Sequence, residues 1–432
     1  MDFSLLAVAG CFALGLVIGM PVAFVLIMSS LVGIFILRGE AVALTALTTM
    51  PYAKSSDLSL AVIPLFILMG YLASAAGISE YAYRMAYRWV GHLKGGLAVA
   101  TVFACAAFAA TSGSSVATSA TLGKIAMAEM KRFRYDDAIS AGTIASAGLL
   151  GIMIPPSIMM IVYGIVTQTN IALLFLAGIL PGILTAIVFA IGLYLLAWWK
   201  PHLMPTSAER FSWSERFSSL RDSWAIWVLF TVIIGGIYTG IFTATESAAV
   251  GAIVALLLMF YYRKANLRTI LSGSREAAGT CAMIFLILIG AGLFSQYVAL
   301  AGLATDFARF LTGLELSPYA ILFLILLAYI PLGMFLEPIS MCLITLPIVF
   351  PAVMALGFDP IWFGVIIVKI CEISNITPPL GLNVFVIRGI NKDIPVEKVF
   401  KGVSIFVVME LLILLVLVMF PSISLFIPQL AN

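Results

Sequence analysis

Long apolar runs dominate the chain, parted by short polar stretches, and a few polar or proline-rich interruptions fall inside the runs themselves. Apolar runs of about eighteen residues or more cross a bilayer as helices, because lipid leaves every backbone group to be bonded within its own segment. The pattern predicts an all-α, polytopic membrane protein. The first segment, MDFSLLAVAGCFALGLVIGMP, lacks a basic start and an Ala-x-Ala site, and reads as a transmembrane helix rather than a removable signal.

The interruptions occur in pairs. Pro155-Pro156 in GIMIPPSIMM and Pro378-Pro379 in NITPPLGLNV are 223 positions apart, and the same offset carries Asp136 onto Asp359, Ser114 onto Glu337 and Asn170 onto Asp393. Upstream, IPLFILMG ending at Gly70 resembles MIFLILIG ending at Gly290, and SSLVG at Gly33 resembles SAAVG at Gly251. Collinear matches of this kind indicate an internal duplication, with residues 1–199 and 223–432 as the copies and 200–222 as a hydrophilic linker. Basic residues collect on the cytoplasmic side of a membrane. Loop 80–95 carries three and its counterpart 303–317 one; 124–137 carries four and 347–360 none; 165–178 carries none and 388–401 four. The copies are therefore expected to face opposite ways, as inverted repeats do in secondary transporters.

Sidedness also places TSGSSVATSA, residues 111–120. It lies between two loops of the same side, with about fourteen apolar residues on each flank, roughly 21 Å of helix and short of a ~30 Å hydrocarbon core. A re-entrant helical hairpin over about 97–130 is expected, with a mirror hairpin over about 318–354 around GMFLEPIS. Exposed backbone at a hairpin tip is tolerated only where it lines a cavity or binds something. The Thr111, Ser112, Ser114 and Ser115 oxygens, with carbonyls freed by the Pro-Pro break, suit a hard cation such as Na⁺. Thr118 and Ser119 read as packing residues.

Composition narrows the alternatives. Hydrophobic residues make up 63% and charged residues 10% of the 432 positions, outside the range of soluble domains. The net charge of +3 and the lack of a charged tail give no sign of nucleic-acid binding. No phosphate-binding GxxxxGK[ST] loop is present, and both histidines, His92 and His202, lie in hydrophilic stretches, so neither ATP-driven pumping nor a Ser–His hydrolase is expected. The protein is not expected to be an enzyme. Five scattered cysteines read as small core residues. Glu246, Glu337, Glu372 and Glu410 interrupt apolar runs, where charge is costly. Lys369 and Glu372 are spaced for an ion pair on one helix turn, Glu246 for a helix cap, and Glu410 for contact with another helix. The aromatic and basic segment YAYRMAYRWVGHLKGG at 81–96 suits the cytoplasmic interface as a short amphipathic arm.

The TSGSS tip, GIMIPPS, GMFLEP and ITPPLGLN together resemble the large membrane subunit of tripartite ATP-independent periplasmic (TRAP) transporters of the DctM/SiaM kind, over essentially the whole chain. The resemblance implies an elevator mechanism, with a transport domain holding both hairpins and sliding against a scaffold domain in the lipid bilayer. It implies residence in the bacterial inner membrane, coupling to two or more Na⁺, a small four-helix membrane subunit and a periplasmic substrate-binding protein. The implied cargo is an organic acid, of C4-dicarboxylate or sialic-acid type. Carried over by position, one Na⁺ site falls on Ser112, Ser114, Ser115, Gly151, Ile154 and Pro156. The other falls on Gly333, Ser374, Thr377 and Leu380. Ser374 stands where the family often has glycine, and Pro338 where a hydroxyl residue is common. Substrate candidates are Ser114, Ser115, Asn375 and Asn383. Glu337 and Glu372 are candidate coupling carboxylates, and they define the alternative of a proton-coupled organic-anion transporter working without a binding protein.

Overall fold

A computed structural model describes residues 3–206, 209–379 and 381–431, and every regular element among them is helical. Among the described residues, seven helices are long and apolar enough to cross a membrane, or up to nine when each bent pair is taken as one span. The first half runs α1 (Phe3–Val17), α2 (Val22–Arg38), α3 (Glu40–Ser55), α4 (Val62–Ala75) and α5 (Ile78–Val90). The hairpin follows as α6 (Gly96–Ser112) and α7 (Ser115–Arg132), then α8 (Asp137–Ala147), α9 (Leu150–Met153), α10 (Ile158–Thr167) and the long α11 (Ile171–Trp199). The linker contributes α12 (Trp213–Asp222), and the second half opens with α13 (Trp224–Phe230), α14 (Gly236–Tyr238), α15 (Ala244–Tyr261), α16 (Leu267–Leu300) and α17 (Leu303–Thr312). Its hairpin is α18 (Pro318–Phe335) and α19 (Pro338–Ala355), followed by α20 (Pro360–Ile376), α21 (Leu382–Ile390), α22 (Val396–Met419) and α23 (Ser422–Ala431).

The duplication read from the sequence reappears in helix boundaries. An offset of 223 carries Ser115–Arg132 onto Pro338–Ala355 end for end, and residues 137–153 onto Pro360–Ile376. The start signals repeat as well: Asp136 Oδ1 accepts from the Ala138 and Ile139 amides, and Asp359 Oδ1 from those of Ile361 and Trp362. A short side chain that accepts from the first free amides fixes where a helix begins. The offset lapses after the second break. Asn170 caps α11, but its shifted counterpart Asp393 caps nothing, because the turn before α22 is two residues longer and Pro395 holds the cap position. The copies also interlock crosswise, α2 packing on α16 and α15 on α4.

Two expectations about length need correction. The hairpin arms have 17 or 18 residues rather than about fourteen, roughly 25–27 Å of helix and still below a ~30 Å core. Stretch 124–132 belongs to α7 instead of a loop, with Lys131 and Arg132 in the last turn, where cations offset the negative helix end. The linker is likewise not bare. Ser212 and Glu215 form a capping box that starts α12, and Trp89 of α5 donates to the Arg216 carbonyl (3.1 Å) while meeting Trp213 and Phe217 edge-on. The aromatic arm at 81–96 thus clasps the linker helix.

Apolar side chains such as Ile183, Ile187, Ile191 and Leu195 of α11 remain exposed, as expected of surfaces that meet lipid. The protein is a multi-pass membrane protein.

Candidate functional site

The first hairpin turns at Gly113, which has φ of +63°, a conformation that costs least at glycine. Ser114 is extended and its hydroxyl accepts weakly from the Ala117 amide (3.4 Å), starting α7. Ser112 Oγ lies 2.6 Å from Thr118 Oγ1. Facing this tip is the break between α9 and α10, where Ile154 is extended and the Pro155-Pro156 bond is cis. The span Asp137–Met153 and α10 meet there at 43°. Ser157 restarts the chain as the cap of α10, accepting from the Met160 amide (3.2 Å).

Tip and break are joined directly. The Ile158 amide donates to the Gly113 carbonyl (3.3 Å). A Cβ on Gly151 would stand 2.6 Å from both the Ser114 carbonyl oxygen and Thr118 Oγ1, and one on Gly113 would stand 2.9 Å from the Pro156 carbonyl oxygen. The fold therefore brings Ser112, Ser114, Gly151 and Pro156 together, with Ser115 (5% exposed) at the same tip. It adds Thr118, which the sequence reading assigned to packing: its hydroxyl closes the junction between Ser112 and Gly151. Its place one helical turn after Ser114 was the available signal.

The second half is similar but not identical. Ser374 donates to the Ile370 carbonyl (2.8 Å) and Thr377 to that of Ile373 (2.6 Å), each hydroxyl keeping lone pairs to offer. Gly333 lies against Ser374, where a Cβ would collide with the serine side chain. The first half has glycine on the broken helix facing polar atoms of the hairpin. Here the serine is on the broken helix and the glycine on the hairpin, so that Gly333 leaves room for the Ser374 side chain. Leu380 lies outside the described residues.

A cavity of about 640 Å³ joins the two tips, Ser112 to Ser115 of one and Glu337 to Ile339 of the other, with Asn375 beside them. Its remaining polar wall comes from Tyr71 and Ser74 of α4, Thr121 of α7, and Thr269, Ser272, Glu276 and Thr280 of α16. Tyr71 Oη lies 3.3 Å from Thr280 Oγ1. None of these wall residues emerged from the sequence reading, although the polar positions 269, 272, 276 and 280 recur at three- and four-residue spacing along one helix face. Glu337 opens onto the cavity and accepts from Ser340 Oγ (2.9 Å).

Two sequence candidates are placed elsewhere. Asn383 is fully buried and donates to the Ala145 carbonyl (3.0 Å), binding α21 to α8 away from the cavity wall. Glu372 is also fully buried off the cavity, held with Glu410 by Lys369, whose ammonium lies 2.6 Å from each carboxylate and 2.8 Å from Thr185 Oγ1. Glu410 thus finds its partner within the chain. Glu246 forms the expected cap, a capping box with Thr243. Cys342 and Cys371 are buried with their sulfurs 3.9 Å apart.

The sequence profile of a family described as the tripartite ATP-independent periplasmic transporter, DctM component, matches residues 9–423. The C4-dicarboxylate TRAP transporter large permease protein DctM of Pseudomonas aeruginosa is 37% identical, with 88% of each chain covered. The ectoine TRAP transporter large permease protein TeaC of Halomonas elongata is 34% identical over 96% of this chain and 97% of its own. The sialic acid TRAP transporter large permease protein SiaM of Vibrio cholerae is 31% identical over 95% of both. Among solved structures, the Alcanivorax borkumensis YdaH transporter, noted for an unusual topology, shares the fold with a TM-score of 0.53, 15% identity and 90% of each chain covered. With its paired hairpins, broken helices and this agreement along nearly its whole length, the chain belongs to the DctM component family of TRAP transporters, a family of transporter permeases.

Proposed function

We propose that this chain is the large permease of a sodium-coupled secondary transporter that imports an organic acid across the bacterial inner membrane. In this reading a periplasmic binding protein delivers the cargo, and a small four-helix membrane subunit completes the complex. The halves, 1–199 and 223–432, are inverted copies joined by the linker 200–222, and the hairpins with their broken helices form the mobile transport domain. One observation carries the reading. The Ser114 carbonyl and the Thr118 hydroxyl, itself paired with Ser112, crowd the place a Cβ on Gly151 would take, and the Pro156 carbonyl the place one on Gly113 would take. Neutral oxygens gathered at a broken helix suit a monovalent cation with little net ligand charge. Ser115 and Ile154 complete the candidate ligand set, and Gly333, Ser374, Thr377 and Leu380 form its counterpart in the second half.

Cation and cargo would be coupled because the same tip borders both the oxygen cluster and the cavity. Filling the cation site would order the tip and so complete the cargo site, which is positive cooperativity by preorganisation. The cavity reaches Thr269 and Glu276 at the end of α16 near its cluster of basic residues, Arg263, Lys264, Arg268 and Arg275. By the positive-inside rule a cavity open at that end would face the cytoplasm, which supports reading the state as inward-facing.

Reconstitution with the cognate receptor, testing organic acids with and without an imposed sodium gradient, decides the matter. Uptake that requires sodium on the receptor side supports the proposal. Uptake that follows a proton gradient without sodium or receptor would favour the alternative, with Glu337 as the carboxylate that opens onto the cavity.

A further inference from the structure

The cavity wall carries an unbalanced set of charges. Glu276 and Glu337 line it, while among the described residues no lysine, arginine or histidine does. Glu337 is engaged by Ser340, but the Glu276 carboxylate makes no hydrogen bond or ion pair among the described residues. Two other lining groups lack partners for a different reason. Asn375 is 3% exposed and Ser115 5% exposed, both open onto the cavity, and neither side chain is hydrogen-bonded among the described residues. Buried polar groups are normally satisfied, so an amide and a hydroxyl left open at one cavity point to a ligand that completes them. Each can donate as well as accept, and as donors they suit the carboxylate that an organic-acid cargo carries.

A second negative group on the same cargo would have no such reception. It would meet Glu337 at the hairpin tip or Glu276, an exposed residue at the cavity's rim, and like charges at close range repel, less strongly where solvent reaches them. A cationic group in that place gains an ion pair instead. We propose that the cargo is a small zwitterion, with a carboxylate received by Ser115 and Asn375 and an amine or amidinium drawn to Glu276 and Glu337. The proposal rests on the reading of this cavity as the transport site. A volume of about 640 Å³ holds a molecule of that size with room for water.

The test uses the purified full-length protein in lipid nanodiscs, titrated with ectoine, glycine betaine or succinate while thermal unfolding is followed. A parallel titration with sodium chloride against choline chloride, without cargo, reports on the cation site independently. That separates failure of the transport-site reading from failure of the charge assignment. The expected result is stabilisation by a zwitterion at about tenfold lower concentration than by succinate. Glu276→Gln should then weaken zwitterion binding roughly three- to fivefold, the range of a solvent-accessible ion pair, and leave succinate no weaker. Succinate binding as well as or better than both zwitterions, no stabilisation by any of the three, or an unchanged preference in Glu276→Gln would each overturn the proposal.

Discussion

At the scale of single residues, the first tip shows how one side chain serves two purposes. Ser112 is 6% exposed, its hydroxyl shared with Thr118 at 2.6 Å, and it still borders the cavity. That hydrogen bond consumes one proton and leaves oxygen lone pairs for a cation, so removing the hydroxyl takes away a ligand and loosens Thr118 together. Ser115 differs: its hydroxyl has no partner among the described residues, and its loss leaves the tip itself intact. We expect Ser112→Ala and Ser115→Ala each to raise the sodium concentration for half-maximal uptake by roughly three- to tenfold, about 1 kcal/mol of lost ligation. Uptake measured against sodium at saturating cargo checks this, and an unchanged sodium dependence in both variants removes the two residues from the site.

At the scale of helices, local signals and tertiary contacts part company. Both hairpins and both breaks were legible because their causes are short-range: a cap such as Asp136 or Asp359, a Pro-Pro pair, a run of small hydroxyl residues. The arms were read too short because Lys124 to Arg132 look like a loop in a hydropathy profile, although charged residues extend a helix out of the membrane readily. What local signals could not reveal is the meeting of Lys369 in α20 with Glu410 in α22 and Thr185 in α11, since nothing near these residues in sequence names the partner. The contact of Asn383 was illegible for the same reason: its Nδ2 donates to the Ala145 carbonyl of another helix, while its Oδ1 has no partner among the described residues. The Lys369 cluster fastens α20, which carries Ser374 and Asn375, to α11 and α22, and all three charged groups are fully buried. Removing one member of a buried ion pair costs about 3–5 kcal/mol, because it strands the opposite charge, whereas replacing every member with neutral groups of similar size costs far less. Lys369→Met should therefore lower the unfolding temperature of the detergent-solubilised protein sharply. The triple change Lys369→Met, Glu372→Gln, Glu410→Gln should recover most of it. A triple variant less stable than Lys369→Met would show that the cluster stabilises through attraction rather than through mutual neutralisation.

At the scale of the whole molecule, the question is which parts move. The crosswise packing of α2 on α16 and α15 on α4 ties the two halves together through helices that carry neither tip, the arrangement expected of a scaffold. The proposed moving part meets that scaffold at the cavity, where Ser74 of α4 lies 3.5 Å from Thr121 of α7, hydroxyl to hydroxyl. If the hairpin slides as a rigid body, Thr121 must leave Ser74 and approach residues nearer the start of α4. Ile67 also lines the cavity, and it stands seven positions earlier, roughly 10 Å along the helix. Cysteines placed at 74 and 121 should crosslink readily on oxidation and hold the state described here, while cysteines at 67 and 121 should crosslink only as the opposite state is visited. Cys11 and Cys281, which are partly exposed, are replaced by serine first so that the added thiols report alone. Either bond should abolish uptake and a reductant should restore it, since alternating access requires both registers. Uptake that survives the 74–121 crosslink would mean that the hairpin carries cargo without travelling, and the sliding mechanism would fall.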